Sequence, residues 1–142
     1  MFIEVGKKVS VSDLLHGIIT SSGNDASVAM AEHISGDEET FAIYMNQMAD
    51  NLGLQNTGYA NSTGLPDDAL YTSAEDIAVL SRALIKDFPT QYKRYSQKQY
   101  VYNEIKQYSR NKLLYLDDSV DGIKTGYTKK AGYLSLIHIS EP

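Results

Sequence analysis

Apolar positions recur at helical spacing in the first part of the chain. Residues 12–22 place four apolar side chains on one face behind Ser12-Asp13, a pair that can cap a helix start. Turn-forming residues at 21–25 interrupt this pattern, which then resumes until Ser35-Gly36 stops it. The pattern predicts two helices that flank a short polar turn.

Two further helices follow. An apolar stripe of period 3.6 between residues 41 and 52 predicts a third helix that ends at Gly53. Residues 56–70 have many turn formers and no sustained period, which is typical of a long surface loop. The pattern Thr72-Ser73-Ala74-Glu75 matches a capping box and predicts the start of a fourth helix, which Phe88-Pro89 ends.

From residue 91 onward the pattern changes from helices to strands. Tyr100-Val101-Tyr102 has the composition and alternation of a strand. Asp121-Gly122 is a turn signal, and Lys129-Lys130-Ala131-Gly132 indicates the tip of a hairpin. The second strand of that hairpin is predicted to begin at Tyr133.

Composition narrows the class of protein. With 42% hydrophobic and 22% charged residues and three prolines, a packed globular core is expected. The net charge is -5 and the basic residues are scattered, which argues against nucleic acid as a partner. The chain has no cysteine, so a cysteine nucleophile, disulfides and thiolate metal sites are excluded.

Two tripeptides carry the candidate chemistry. Ser22-Gly23-Asn24 and, later, Lys124-Thr125-Gly126 match the second and third elements of a set shared by penicillin-binding proteins and β-lactamases. The first is predicted in a turn between helices and the second on a strand, where Gly126 leaves room for a substrate backbone. Each tripeptide alone is weak, but the pair occurs in the right order and in suitable contexts.

The surrounding residues make the resemblance more specific. The run Val120-Asp121-Gly122-Ile123-Lys124-Thr125-Gly126 and the residues around Ser22-Gly23-Asn24 resemble the low-molecular-mass D-alanyl-D-alanine carboxypeptidases. The resemblance covers nearly everything from Val9 to Tyr133. It implies the α/β (α+β) fold of penicillin-binding proteins and β-lactamases, with a helical cluster beside part of an antiparallel sheet.

The resemblance also implies catalytic roles. Ser22 would relay a proton between the lysine that assists the nucleophile and the leaving amine. Asn24 would hydrogen-bond the backbone amide of the substrate and help to orient that lysine. Lys124 would supply positive charge to the cleft.

Substrate-binding roles are implied for the neighbours of Lys124. Thr125 would bind the terminal carboxylate of the substrate, and the backbone N–H of Tyr127 would be one of two oxyanion donors beside Gly126. The expected partners are the peptidoglycan pentapeptide and β-lactams. No metal or organic cofactor is expected.

The nucleophile of this family is a serine three residues before a lysine, and it should precede Ser22. The chain does not contain that motif at the expected place. Ser109 and Lys112 match the spacing, but they follow the first tripeptide and lie in a strand-to-loop region, so the match is interpreted as coincidence. The chain is therefore expected to be an inactive internal fragment of a carboxypeptidase.

Two parts of the chain are distinguished. Residues 1–133 are interpreted as a partial D,D-peptidase catalytic domain. Residues 134–142 resemble the in-frame translation of a transposon-type sequencing adapter, so they and His138 are left out of the expected fold and function. His16 and His33 are interpreted as surface or packing residues, because neither has a second ligand at metal-binding spacing.

The location and the alternatives complete the expectations. The substrate of the family implies an extracytoplasmic location, and the whole protein could be membrane-associated. A β-lactamase-related hydrolase is one alternative, although no deacylating base is identified. A non-catalytic binding domain of the same fold is the other.

Overall fold

The computed structural model describes residues 1–140. These residues form two compact units, one made of Met1–Ala26 with the chain from Thr90 onward, the other of Ser27–Pro89. The helices are α1 (Val11–Ser21), α2 (Asn24–Ser35), α3 (Glu38–Leu52), α4 (Ala74–Asp87), α5 (Pro89–Tyr92), a 3-10 helix (Lys93–Ser96) and α6 (Leu113–Leu116). The strands are β1 (Gln99–Tyr102), β2 (Ile105–Tyr108), β3 (Val120–Thr128) and β4 (Gly132–Ile139). The combination of helices and antiparallel sheet confirms the expected fold class.

Helix α1 begins and ends differently from the prediction. Ser10 is its N-cap, because the Ser10 hydroxyl accepts a hydrogen bond from the backbone N–H of Asp13 at 3.0 Å. The predicted cap at Ser12-Asp13 is therefore wrong, and both residues lie inside the helix. The turn after α1 is also shorter than predicted, because α2 already begins at Asn24.

The unit Ser27–Pro89 contains the predicted third and fourth helices. Gly53 ends α3 with φ of 75°, as expected for a left-handed C-terminal residue. The cap of α4 is Ser73, whose hydroxyl accepts from Asp76 N–H at 3.1 Å, so the predicted capping box starts one residue too early. Asp76 is buried, and its carboxylate accepts from Asn56 N–H and the Thr57 hydroxyl, each at 2.7 Å. These bonds tie the start of the predicted loop to α4.

The strands form two antiparallel pairs, β1 with β2 and β3 with β4. The turn between β1 and β2 is Asn103-Glu104, both with positive φ, as a two-residue hairpin turn requires. The predicted hairpin tip before Gly132 is confirmed. The predicted turn at Asp121-Gly122 is wrong, because both residues lie in β3.

Contacts with residues distant in the sequence keep Asp121 and Gly122 extended. The Asp121 carboxylate accepts a hydrogen bond from the Tyr92 hydroxyl at 2.8 Å and lies 2.7 Å from Nδ1 of His138. Pairing with β4 and these bonds outweigh the local turn preference, and the pairing shifts register between Val120 and Gly122.

The segment set aside as non-native takes part in this sheet. Strand β4 includes residues 134–139, which pair with β3 along its length. Residues 141 and 142 lie outside the described residues. Strand pairing does not test the origin of a sequence, so the interpretation of residues 134–142 as adapter-derived stays a prediction.

The core of the first unit is formed by side chains of α1, α5, β1, α6 and β3. Its buried side chains include Leu14, Tyr92, Tyr100, Leu114, Val120 and Ile123. Among residues 1–140, no helix is both long and apolar enough to cross a membrane.

Candidate active site

The tripeptide Ser22-Gly23-Asn24 joins α1 to α2. Ser22 is left-handed, with φ of 57° and ψ of 44°. The N–H groups of Ser22 and Gly23 both donate to the carbonyl oxygen of Gly17, which fixes the turn to the end of α1. Gly23 is buried, whereas Ser22 and Asn24 are exposed. A rigid turn thus presents two polar side chains to solvent.

Asp25 holds the N-terminal residues against this turn. Its carboxylate accepts from the terminal ammonium of Met1 at 2.9 Å, from Ile3 N–H at 3.0 Å and from Ala26 N–H at 2.9 Å. Burial alone would raise the pKa of Asp25, but these hydrogen bonds and the ammonium charge outweigh burial and lower it. Asp25 is therefore a fixed anion beside the turn.

The turn forms one wall of an open cavity of about 540 Å³. This volume lies in the range of sites that bind small ligands. The residues around the cavity are 21–25, Met1, Phe2, Lys106, Gln107, Tyr108 and Arg110. Ser22 and Asn24 therefore face strand β2 and the segment that follows it.

The second tripeptide lies on β3. Lys124 is half-buried and its ammonium donates to the carbonyl oxygen of Thr125 at 2.8 Å. Burial lowers the pKa of Lys124, and the positive charge of Arg110 lowers it further. A Cβ added at Gly126 would meet no atom within 4 Å, so the space beside this backbone is open. Tyr127 is exposed, with its ring 4.5 Å from that of Tyr133.

Both tripeptides lie in the same unit, and Arg110 is a neighbour that they share. Arg110 lines the cavity with Ser22 and Asn24, and its charge acts on Lys124. Within residues 1–140, however, Lys124 is not part of the cavity wall, and no hydrogen bond joins it to Ser22 or Asn24. The hypothesis that the two tripeptides form two walls of one pocket therefore stays a prediction.

Arg110 was missed by reasoning from the sequence, which considered its segment only for the spacing of Ser109 and Lys112. The neighbouring Asn111 is buried, and its side chain donates to the carbonyl oxygen of Gly122 at 3.4 Å. This bond places the segment next to β3. In the sequence, a basic residue beside a polar residue near a strand end is only a weak signal of a site. The position of Arg110 beside the cavity is therefore seen only in the folded structure.

Replacing Arg110 tests its effect on Lys124. In Arg110→Gln we expect the pKa of Lys124 to rise, because a neighbouring positive charge has been removed. The measurement is an NMR titration of the Lys124 side chain. Lys106→Gln is the matched control, since Lys106 lines the same cavity but does not lower the pKa of Lys124. Equal titration of Lys124 in the wild type and Arg110→Gln would contradict the assignment.

Within the described residues, no group of three or more His, Asp or Glu side chains is arranged to hold a metal ion.

Comparison with known proteins identifies the family. The family model described as D-alanyl-D-alanine carboxypeptidase matches residues 1–139. The carboxypeptidase DacA of Haemophilus influenzae is 47% identical over 134 residues, which are 94% of this chain and 34% of DacA. The chain belongs to the D-alanyl-D-alanine carboxypeptidase family.

Solved structures agree with this assignment. The carboxypeptidase DacD of Francisella tularensis is 32% identical, with a TM-score of 0.96 over 99% of this chain and 47% of that one. Penicillin-binding protein D2 of Listeria monocytogenes, in its cefotaxime-bound form, is 31% identical, with a TM-score of 0.80 over 91% of this chain and 53% of that one. The chain spans about a third of the length of the curated relative from H. influenzae.

Proposed function

We propose that this chain is part of a serine-type D-Ala-D-Ala carboxypeptidase that removes the terminal D-alanine from peptidoglycan pentapeptides. The observation that carries the proposal is a single unit in which Ser22, Asn24 and Arg110 line one cavity and the charge of Arg110 also acts on Lys124. Family membership supports the same reaction.

The turn supplies the groups that act on the scissile amide. In a serine-type mechanism the nucleophile forms an acyl-enzyme, and the leaving amine must gain a proton. The exposed hydroxyl of Ser22 would relay that proton from the lysine of the nucleophile motif. The amide of Asn24, the first residue of α2, would hydrogen-bond the substrate backbone.

The strand supplies groups that bind the anionic end of the substrate. Neither Lys124 nor Arg110 is ion-paired with a carboxylate within residues 1–140, so both charges are available to an anion. Thr125 would add a hydroxyl donor for the terminal carboxylate. The backbone N–H of Tyr127 would stabilise the oxyanion, with the open space at Gly126 admitting the substrate backbone.

The nucleophile is proposed to lie in a part of the enzyme that these residues do not include. Ser109, the alternative, ends up after β2, and its hydroxyl accepts from Asn111 N–H at 3.3 Å. A catalytic serine of this type should open a helix that also carries its lysine, and Ser109 does not. The 142-residue chain by itself is therefore proposed to be inactive, with residues 1–133 as part of the catalytic domain and residues 134–142 non-native.

Partners and location follow from the reaction. Peptidoglycan pentapeptide is the proposed substrate, and the cefotaxime-bound relative from Listeria supports β-lactams as acylating ligands of the whole enzyme. Because peptidoglycan lies outside the cytoplasmic membrane, we place the enzyme there, with membrane association proposed for the whole protein.

The test is made on the full-length enzyme that contains this segment. We expect it to release D-alanine from a D-Ala-D-Ala peptide much faster than it hydrolyses penicillin. Faster penicillin hydrolysis would indicate a β-lactamase-related enzyme instead. Binding without turnover of either compound would indicate a non-catalytic domain of the same fold.

A further inference from the structure

His16 lies in the middle of α1, away from the two tripeptides. Its ring stacks on Tyr100 of β1, with centroids 5.1 Å apart and planes at 17°. Its Nε2 atom lies 2.6 Å from Nη1 of Arg94 in the 3-10 helix. The same Nη1 donates to the Ser12 hydroxyl at 3.2 Å, and Nε of Arg94 donates to Gln91 at 2.9 Å. Arg94 thus bonds to α1 at two places.

The contact fixes the protonation state of His16. A guanidinium only donates hydrogen bonds, so Nε2 of His16 must accept, and the imidazole is neutral with its proton on Nδ1. That Nδ1 atom is buried without a hydrogen-bond partner at bonding distance. Burial lowers the pKa of His16 and the charge of Arg94 lowers it further, and together they outweigh the side chain of Gln97 and the charge of Asp13, which act in the opposite direction.

The charged groups around His16 favour the neutral ring. On α1, Asp13 faces it, but its carboxylate already accepts from the Tyr100 hydroxyl at 3.0 Å and the Ser10 hydroxyl at 2.7 Å. The 3-10 helix contributes two cations, Arg94 and Lys93, which line a shared cavity with His16. From β1 the facing titratable group is Tyr100. The titratable side chains of β2, Lys106 and Tyr108, line the other cavity, beside Ser22.

We propose that the Arg94–His16 contact is a pH-sensitive tie between α1 and the 3-10 helix, made while His16 is neutral and broken when it is protonated. An imidazolium carries a proton on both nitrogens, so Nε2 can no longer accept from Arg94. Two cations would then lie 2.6 Å apart. The cavity beside them, of about 380 Å³ and open to solvent, gives protons and water access to the contact.

The tie connects the elements that carry the two tripeptides. Helix α1 ends at the Ser22 turn. The 3-10 helix and the residue before it lie against the start of β3: a Cβ added at Gly122 would come 2.8 Å from the Tyr92 hydroxyl and 3.3 Å from Cβ of Tyr95. Breaking the tie would therefore weaken the attachment of α1, which carries the Ser22 turn, to the 3-10 helix, which packs against the strand that carries Lys124. This inference does not depend on the proposed function.

The direction of the pH dependence follows from the lowered pKa of His16 in the folded chain. The unfolded chain, with an ordinary histidine pKa of about 6.5, takes up its proton first as the pH falls. The stabilisation is thus complete above about pH 6.5 and is lost as the pH falls toward the folded pKa of His16.

The test is an NMR titration of the 142-residue chain, with His16 identified by comparison with His16→Gln. We expect the pKa of His16 to lie below the ordinary range and to rise in Arg94→Gln. Lys93→Gln is the control for a general loss of positive charge and should change the pKa of His16 less. An unchanged pKa in Arg94→Gln, or an equal rise in Lys93→Gln, would overturn the proposal.

Amide exchange shows whether the elements separate. After correction for the intrinsic pH dependence, we expect exchange in the last turn of α1 to become about tenfold faster as His16 is protonated. Exchange in α3 should stay constant, and His16→Gln should show no such step in α1. The proposal is overturned if His16→Gln shows the same step, if no step occurs, or if α3 opens together with α1.

Discussion

We expect a fluorescent penicillin added to the 142-residue chain to leave no label that survives denaturation. Stable labelling requires an acyl-enzyme, and an acyl-enzyme requires an activated serine hydroxyl. Ser22 and Ser109 have no lysine bonded to their hydroxyl groups within residues 1–140, so neither is activated in that way. Relative to a full-length carboxypeptidase, labelling should fall by a factor of about 10⁴ or more. The extent of labelling is measured by gel fluorescence and by the intact mass of the denatured chain.

If a label does appear, two variants identify the serine that carries it. Label that disappears in Ser109→Ala would make Ser109 the nucleophile and would contradict the coincidence reading of its spacing with Lys112. Label that disappears only in Ser22→Ala would indicate that Ser22 is the nucleophile, which would contradict the proton-relay role proposed for it. A full-length relative from the same family serves as the positive control for the reagent.

The long helices could be predicted from the sequence because their boundaries depend on local chemistry. The apolar stripe that ends at Gly53 is enough to predict α3, since a period of 3.6 and a left-handed glycine are local properties. Caps are harder, because several hydroxyl residues often stand side by side. Ser10 and Ser73 form the caps of α1 and α4, and neighbouring residues looked equally suitable in the sequence.

The strand β3 shows the limit of local reasoning. Asp121-Gly122 has the composition of a turn, yet the partners that keep it extended are distant in sequence: the Tyr92 hydroxyl and strand β4. No window of a few residues contains that information. The pairing of residues 134–139 with β3 was likewise not predicted, because these residues were set aside for their resemblance to a translated adapter.

The sequence predicted which residues belong to the candidate site but not which other residues lie next to them in the fold. The two tripeptides identified Ser22, Asn24 and Lys124 in the sequence, but not Arg110, which lines the cavity beside Ser22 and Asn24 and lowers the pKa of Lys124. The contact of His16 with Arg94 likewise joins positions far apart in the sequence. Pairs of this kind form only when the fold is complete, so they could not be read from spacing.

Replacing Lys124 by alanine in the full-length enzyme should have the largest effect of the point substitutions in this segment. The variant loses a cation whose ammonium is held by the Thr125 carbonyl and which is not ion-paired with a carboxylate within residues 1–140, so the charge that would attract an anionic substrate is lost. Removal of one such electrostatic group in an active site typically costs a factor of about 10² to 10³ in rate. The measurements are kcat/KM for D-alanine release and the rate of acylation by penicillin.

Lys129→Ala is the matched control, because Lys129 is an exposed lysine in the turn between β3 and β4. It removes the same charge from the same hairpin, so its kinetics should remain within about twofold of the wild type. If both variants lose activity equally, net charge rather than the position of Lys124 matters. If Lys124→Ala keeps its acylation rate while it folds normally, β3 does not form the substrate-binding wall.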